Sequence, residues 1–212
     1  MFNTKKLKSK KYLASQEEQF SKAIDNGLSL NKKTLPSWLI FDNKGSEIFK
    51  KITALSSYLP AASEFEIIQN HKEYISQLIS SDKFNLIELG SGDGRKTQIL
   101  IEHFLNKKID FHYFPIDISG GAIVNLVKLL EDRHSNTSLK VTGLTGDYFD
   151  GLDAITQKGQ NLILFLGVSL NNMDLDMANS FLKRLSQTLK SGDSLLIGFD
   201  LMKDPKLLYS AY

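Results

Sequence analysis

The glycine-rich loop from Gly90 to Gly94 constrains the fold of this chain more than any other feature. An apolar run at residues 84–89 precedes the loop, and a run at residues 98–105 with helical periodicity follows it. This order predicts a strand, a tight turn and a helix. The glycines allow backbone amides to approach a ligand closely, and the start of a helix favours anionic or polar groups. The loop therefore predicts a site for a nucleotide-like cofactor.

Strand patterns alternate with helix patterns from residue 84 onwards. The predicted strands are 84–89, 110–116, 138–143, 161–167 and 194–200, and the predicted helices are 96–106, 120–133 and 174–190, with a short helix near 150–157. Strands separated by helices predict a parallel sheet with helical crossovers. The apolar run from Leu162 to Leu166 suits a central strand that is covered on both faces. The fold class is therefore α/β, with helices on both faces of the sheet.

The first 80 residues carry mainly helical patterns. They are predicted to form an N-terminal helical segment ahead of a sheet domain at residues 81–212. Helices are expected at 13–30, around 48–55 and at 62–80, with an extended or turn segment at 35–42 and a break at 58–60. Lysines cluster near the start of the chain (Lys5, Lys6, Lys8, Lys10, Lys11), and we interpret them as a solvated, frayed terminus rather than a nucleic-acid-binding arm.

Composition argues against several classes of function. The formal net charge of +2 is too small to indicate nucleic-acid binding. The longest apolar run, residues 162–170, is far shorter than the roughly 20 residues of a membrane helix, and the first residues lack the apolar core of a signal peptide. The absence of cysteine fits a cytoplasmic location, and the four histidines lack the spacing of metal ligands, so no metal is expected.

Two cofactor classes compete for the glycine loop. Nicotinamide and flavin sites prefer G-x-G-x-x-G, but here Gly90, Gly92 and Gly94 alternate and Arg95 stands where that pattern needs its third glycine. The alternating glycines after Glu88 instead resemble motif I of the class I S-adenosylmethionine-dependent methyltransferases. A tight turn without a ligand also fits these residues.

Two further loops carry groups suited to an adenosyl cofactor. Asp117 ends the second predicted strand, where a carboxylate can accept both ribose hydroxyls. The alternative is that Asp117 or Ser119 caps the next helix. Asp147 and Tyr148 follow the third strand, at the position where the methyltransferase fold places the adenine. All three loops lie at the carboxyl edge of the predicted sheet, where open α/β sheets bind ligands.

Six ordered motifs between residues 35 and 212 resemble the histidine-specific methyltransferases, including the histidine Nα-methyltransferases of the ergothioneine pathway. Residues 41–49 resemble the family pattern YDxxGSxLF, 52–64 ITxLxEYYPTRxE, 90–97 GSGSGRKT, 115–119 PVDIS, 165–172 FLGSTIGN and 198–205 GVDLVKDP. The resemblance implies the Rossmann-like fold of class I methyltransferases and S-adenosylmethionine as cofactor. It also implies two further strands that this sequence does not supply, so we expect a truncated chain or completion by a second polypeptide.

The resemblance also implies which residues bind the ligands. The cofactor positions are Gly90, Ser91, Gly92, Gly94, Lys96, Asp117, Ile118, Asp147 and Tyr148, and the substrate positions are Phe41, Tyr58, Asn172 and Tyr212. Phe41 and Tyr58 either face the sulfonium or the methylated product through a cation–π contact, or belong to the N-terminal core. Departures from the family include Phe41 and Leu59, each in place of a tyrosine.

The function implied is S-adenosylmethionine-dependent methylation of an amine of histidine or a related amino acid, a small-molecule substrate. The sequence identifies no catalytic base. None is required, because an α-amino group with a pKa of about 8 is partly neutral near pH 7. The alternative is a module that binds the cofactor without turnover until a further segment or chain completes it.

Overall fold

A six-stranded, all-parallel sheet forms the centre of the molecule in the computed structural model, which describes residues 1–7, 16–55, 58–81, 83–202, 204–206 and 209. The strands are β1 (Phe2–Lys6), β2 (Lys83–Leu89), β3 (Asp110–Asp117), β4 (Lys140–Thr145), β5 (Gln160–Phe165) and β6 (Ser194–Ile197). Their order across the sheet is β1-β4-β3-β2-β5-β6. The predicted parallel α/β architecture is confirmed.

Seven α-helices and two 3₁₀ turns accompany the strands in the described residues. The helices are α1 (Gln16–Ser29), α2 (Asn43–Ile52), α3 (Leu59–Gln77), α4 (Arg95–Asn106), α5 (Gly120–His134), α6 (Tyr148–Ala154) and α7 (Leu175–Thr188), and the 3₁₀ turns are Ser37–Ile40 and Ser169–Asn172. The predicted break at residues 58–60 is wrong in its placement. Pro60 lies in the first turn of α3, where a helix does not need the missing amide.

Strand β1 was not predicted, and the frayed-terminus interpretation is wrong for residues 2–6. Phe2 pairs with Val141 and Lys6 with Thr145, so β1 forms one edge of the sheet. Only Phe2 of this strand packs against the core, and the other four side chains are exposed. A short, lysine-bearing edge strand has almost no apolar pattern by which it can be recognised. Lys8, Lys10 and Lys11 lie outside the described residues.

Two apolar layers cover the two faces of the sheet. Successive residues of a strand point to opposite faces, so Leu86 belongs to the layer with α3, α4 and α5, while Ile87 belongs to the layer with α6 and α7. Both side chains are almost completely buried. Because all the strands run in the same direction, their carboxyl ends meet at one edge. This edge holds the loops that the sequence singled out.

The N-terminal helical segment, defined here as residues 16–55, packs more loosely than the sheet. Helix α2 lies against α5, and the Asp42 side chain caps it by accepting from the Gly45 amide at 2.6 Å. Many of the segment's apolar side chains are substantially exposed, such as Ile40, Ile48 and Leu55. Within the described residues, no helix combines the length and the apolar character needed to cross a bilayer.

Candidate functional site

The glycine loop joins β2 to α4 through a left-handed turn. Gly90, Gly92 and Gly94 have φ angles of +75°, +53° and +65°, and the Gly94 amide donates to the Ser91 carbonyl at 2.9 Å. A Cβ on Gly94 would lie 2.6 Å from Cδ1 of Leu126, so α5 packs directly against this end of the loop. A Cβ on Gly92 would meet no atom within 4 Å. The middle of the loop is therefore accessible to a ligand.

The first amides of the loop are used by the neighbouring strand. Gly90 and Ser91 both donate to the Ile116 carbonyl, at 2.8 and 3.2 Å, and Gly92 donates to Oδ2 of Asp117 at 2.9 Å. These three amides therefore donate within the protein, and contact between the loop and a ligand stays a prediction. A phosphate-binding loop directs its amides at the anion. The arrangement here favours a ligand without a phosphate at this point.

One hydroxyl of the loop is buried without a hydrogen-bond partner among the described residues. It belongs to Ser91, which is 6% exposed. A buried hydroxyl without a partner costs about 1–3 kcal/mol, so native proteins rarely contain one without a reason. Ser91 lies in the glycine loop itself. Its hydroxyl fits a site that receives a polar ligand.

Asp117 connects β3 to the glycine loop. Its Oδ2 accepts from Gly92, and its Oδ1 accepts from the Ser119 amide at 2.8 Å. Burial raises the pKa of Asp117, and these backbone hydrogen bonds oppose that rise. A carboxylate offers about four acceptor positions, so Asp117 keeps acceptor capacity for a further donor. The cap of α5 is Ser119, which accepts from the Ala122 amide at 3.2 Å, so Asp117 is not the helix cap.

The residues after β4 reach the same loop from a second side. Asp147 caps α6 and Tyr148 is its first residue. The Tyr148 ring packs edge-on against Phe165 and Phe181, with centroids 5.7 and 6.1 Å away. Its hydroxyl lies 3.1 Å from where a Cβ on Gly90 would stand. Burial raises the pKa of Tyr148 above its ordinary value, so the hydroxyl remains a donor at neutral pH. Ile118, which directly follows Asp117 at the end of β3, is 40% exposed.

The Glu88 side chain forms a buried hydrogen bond below the glycine loop. The Tyr113 hydroxyl donates to its Oε2, and both side chains are almost completely buried. Burial raises the pKa of Glu88 to about 7, and the hydrogen bond from Tyr113 opposes the rise. The sequence marked Glu88 only as the residue before the loop. The structure shows that it joins β2 to β3 beneath the site.

Glu64 reaches the site from α3. Its Oε2 lies 2.5 Å from Nζ of Lys96, and the Gly167 amide donates to Oε1 and Oε2 at 2.9 and 2.8 Å. Glu64 is only 8% exposed. A Cβ on Gly198 would overlap its Oε1, so the segment after β6 also closes around this carboxylate. Glu64 was not predicted as a site residue, although its helical alignment with Ile68 places a charge on an apolar face.

The predicted substrate residues are more scattered. Phe41 ends the first 3₁₀ turn and is half-buried, while the Tyr58 ring packs edge-on against Phe49 with centroids 6.1 Å apart. The latter contact supports the alternative in which Tyr58 belongs to the N-terminal core. Asn172 is exposed at the end of the second 3₁₀ turn, beyond β5. Tyr212 lies outside the described residues.

A cleft separates α2 from the start of α4. Its volume is about 430 Å³, and it is lined by Glu47, Lys50, Lys51, Ala54 and Arg95. Arg95 follows the glycine loop directly and pairs with Asp93 at 2.7 Å. The cleft therefore brings the N-terminal segment next to the loop. Over the parts of the chain that the structure describes, no three potential metal-ligating side chains cluster together.

Comparison with protein families gives a match over most of the chain. The model of the family described as "Histidine-specific methyltransferase, SAM-dependent" matches residues 20–212. This confirms the resemblance drawn from the six motifs. It also disagrees with the nicotinamide or flavin alternative.

Several curated relatives are at least 30% identical to this chain. A histidine N-alpha-methyltransferase of Mycolicibacterium smegmatis is 31% identical over 203 residues, which are 95% of this chain and 62% of that protein. The ergothioneine biosynthesis protein 1 of Schizosaccharomyces pombe is 34% identical over 191 residues, 87% of this chain and 25% of that protein. A 4-dimethylallyltryptophan N-methyltransferase of Claviceps purpurea is 26% identical and matches over 92% of this chain and 59% of its own length. The chain thus spans less than two thirds of each relative.

Two solved structures with a similar fold are methyltransferases. The CurJ carbon methyltransferase has a TM-score of 0.53 at 16% identity, and the match covers 92% of this chain and 50% of that one. The magnesium protoporphyrin IX methyltransferase of Synechocystis, solved with SAM, has a TM-score of 0.51 at 12% identity and covers 73% and 70%. At this level of identity the likeness concerns the fold. It confirms the Rossmann-like class I methyltransferase architecture that the motifs implied.

Proposed function

We propose that this chain, which belongs to the family of histidine-specific, SAM-dependent methyltransferases, catalyses the N-methylation of histidine or a related amino acid. The observation that carries the proposal is the Asp117 carboxylate, which is tied to the glycine loop through the Gly92 amide at 2.9 Å. In this proposal the carboxylate accepts from the ribose hydroxyls beside an accessible loop. Four amides of that loop already donate hydrogen bonds within the protein and so are not directed at an anion. The loop therefore favours an adenosyl group without a phosphate.

In this proposal, different residues at the carboxyl edge of the sheet bind different parts of the cofactor. Asp117 accepts from the ribose hydroxyls with its remaining acceptor capacity. Ile118 and Tyr148 offer apolar surface to the adenine, and Asp147 accepts from its exocyclic amine. Gly90, Ser91, Gly92 and Gly94 form the floor, where the buried Ser91 hydroxyl meets a polar group of the ligand. Lys96 supplies the positive charge near the amino-acid end.

Lys96 and the acceptor-side residues are the chain's proposed contribution to orienting the reactants. S-adenosylmethionine supplies a methyl group that its positively charged sulfur already activates. The protein's main task is then to hold an unprotonated amine in line with that methyl, which is a matter of positioning. Phe41, Tyr58 and Asn172 are the proposed acceptor-side residues within the described part, and Tyr212 is proposed from the motif alone.

The identity of the amino acid that accepts the methyl group is the most specific part of the proposal. Relatives at this level of identity are named for histidine in one case and for dimethylallyltryptophan in another. Phe41 and Leu59 stand where the family patterns carry tyrosines. Histidine is therefore the first acceptor to test and tryptophan the second. We propose a cytoplasmic location and completion of the acceptor pocket by a further segment or second chain.

Mass spectrometry of the products tests the function. The protein is incubated with S-adenosylmethionine and each free amino acid, and we expect a mass increase of one or more methyl groups on histidine or a related amino acid. Asp117→Ala serves as the control with a damaged ribose site. Cofactor binding without any methylated product would support the alternative, a binding module without turnover. Absence of both binding and product would contradict the proposal.

A further inference from the structure

Glu64 is a buried acidic residue at the edge of the sheet where a ligand is proposed to bind. Three elements besides its own helix meet its carboxylate: α4 through Lys96, the turn after β5 through the Gly167 amide, and the segment after β6 through Gly198. The side chains of Glu64 and Lys96 are 10% and 24% exposed. Withdrawing two opposite charges from water is costly, and their attraction repays the cost only with good geometry. The pair is held at a defined place beside the glycine loop.

The position of the pair follows the order of the strands. Tyr148 follows β4, Asp117 follows β3, the glycine loop follows β2 and Gly167 follows β5, and these four strands are consecutive in the sheet. Neighbouring strands lie about 4.8 Å apart. A ligand extended along this edge with its adenine at β4 and its ribose at β3 therefore has its other end between β2 and β5. Glu64 and Lys96 lie at that end.

The charges of the pair match the chemistry of that end of the ligand. The methionine part of the cofactor carries an α-carboxylate and an α-amino group, and at neutral pH the two are mostly ionised. Lys96 by itself would attract the carboxylate and repel the ammonium. A lysine and a glutamate side by side offer one opposite charge to each group. Hydrogen bonds between charged partners are also stronger than those between neutral ones.

We propose that Glu64 is a cofactor-binding residue whose carboxylate receives the α-ammonium group, while Lys96 receives the α-carboxylate. This inference rests on the proposed function and deepens it by assigning a second charge to the amino-acid end. Glu64 is contributed by α3, whereas the adenosyl-binding residues follow β2, β3 and β4. In this proposal, helix α3 therefore contributes directly to the cofactor site.

Calorimetric titration with two ligands tests the role of Glu64. The ligands are S-adenosylhomocysteine and its analogue without the α-amino group, and the proteins are the wild type and Glu64→Gln. Glutamine keeps an oxygen to accept from Gly167 but loses the charge. We expect the wild type to prefer S-adenosylhomocysteine by about tenfold, and Glu64→Gln to lower the preference to about twofold or less. The deaminated analogue should bind the variant at least as well as the wild type.

The matched control is Glu66→Gln, an exposed carboxylate on the same helix, which should keep the wild-type preference. The preference is a ratio within one protein, so a lower folded fraction affects both ligands equally. Glu64→Asp keeps the charge and is expected to retain a preference above that of Glu64→Gln, provided that it is folded by circular dichroism. An equal loss for both ligands, or no loss, would overturn the role of Glu64 alone. A wild type that binds neither ligand would overturn the proposed function as well.

Discussion

The carboxyl edge of the sheet and the N-terminal helical segment differ in how completely their apolar residues are covered. In the sheet, Leu86, Leu89 and Tyr113 are fully buried, whereas in the segment Ile40 is 61% and Leu55 is 56% exposed. Both regions show apolar periodicity in the sequence. The difference teaches that periodicity predicts an element and its apolar face, but does not show what covers that face.

The two regions also differ in how their polar groups are held. At the sheet edge, the Gly92 amide donates to Asp117 and the Tyr113 hydroxyl donates to Glu88, and both hydrogen bonds link the β2 side of the edge to β3. The candidate acceptor residues Phe41 and Asn172 lie in separate turns at different ends of the chain. We therefore expect cofactor binding to depend mainly on the loops after β2, β3 and β4, and acceptor choice mainly on these separate turns.

The largest expected effect is on stability, and it appears when two separate phenylalanine-to-alanine variants are compared. Phe104 is fully buried, and its ring lies 5.2 and 5.5 Å from those of Phe84 and Phe111. Phe104→Ala should lower the free energy of unfolding by about 3–5 kcal/mol. Phe20→Ala in α1, where the ring is 46% exposed, should cost less than about 1 kcal/mol. Urea denaturation measures both, and equal losses would contradict the contrast between the regions.

A pH-dependent effect on stability is expected from Glu88. Its pKa of about 7 in the folded protein exceeds the ordinary value of 4.5, so the folded state holds a proton that the unfolded chain releases. The contribution of Glu88 to the free energy of unfolding is therefore most favourable below pH 4.5, and it is lost as the pH rises through about 7. From pH 5 to pH 8, Glu88→Gln should gain about 2 kcal/mol of unfolding free energy relative to the wild type.

Denaturation of the two proteins at both pH values isolates Glu88 from the histidines. Burial lowers the pKa of His112 to about 4, so its contribution is lost as pH falls below its ordinary value of 6.5, in the opposite direction. This contribution is common to wild type and variant and cancels in their difference. An unchanged difference between pH 5 and pH 8 would mean that Glu88 titrates normally.

A smaller effect, on binding, is expected from Asp117. Asp117→Ala should weaken binding of S-adenosylhomocysteine by about 1–3 kcal/mol, because the ribose hydroxyls and the Gly92 amide lose their acceptor. Asp132→Ala, an exposed carboxylate on α5, is the matched control and should bind as the wild type does. Calorimetry gives both dissociation constants. Equal affinities for Asp117→Ala and its control would refute the ribose assignment.

The smallest effect on the cofactor is expected from Asn172. Because this side chain is exposed beyond β5, Asn172→Ala should change the affinity for S-adenosylhomocysteine by less than about twofold. The same variant should weaken binding of the amino-acid acceptor, measured by calorimetry in the presence of S-adenosylhomocysteine. A loss of cofactor affinity without a loss of acceptor affinity would place Asn172 on the cofactor side.

The sequence predicted the parts of the fold that have strong patterns. The apolar run at 162–166 and the glycine loop led to the parallel sheet and to its carboxyl edge. Strand β1 escaped prediction because only Phe2 among its five residues packs inwards. The strand predicted at 161–167 ends earlier, at Phe165, since Gly167 turns the chain with a φ of +82°.

The site was predicted less completely than the fold. Local motifs identify Asp117 and the glycines, but not that the amides of Gly90 and Ser91 bond to β3, because this depends on the pairing of two strands. Glu64 lies 32 positions before its partner Lys96, and no local pattern joins them. A charge on an apolar helix face was the available signal. Contacts between distant segments needed the structure.

Amide hydrogen exchange with and without S-adenosylhomocysteine tests most directly the claim that the carboxyl edge of the sheet is the cofactor site. The account predicts slower exchange at residues 90–97, 117–121 and 146–149 when the ligand is present, and unchanged exchange at residues 16–40. Slower exchange confined to residues 16–40, or no change anywhere in the chain, would contradict it.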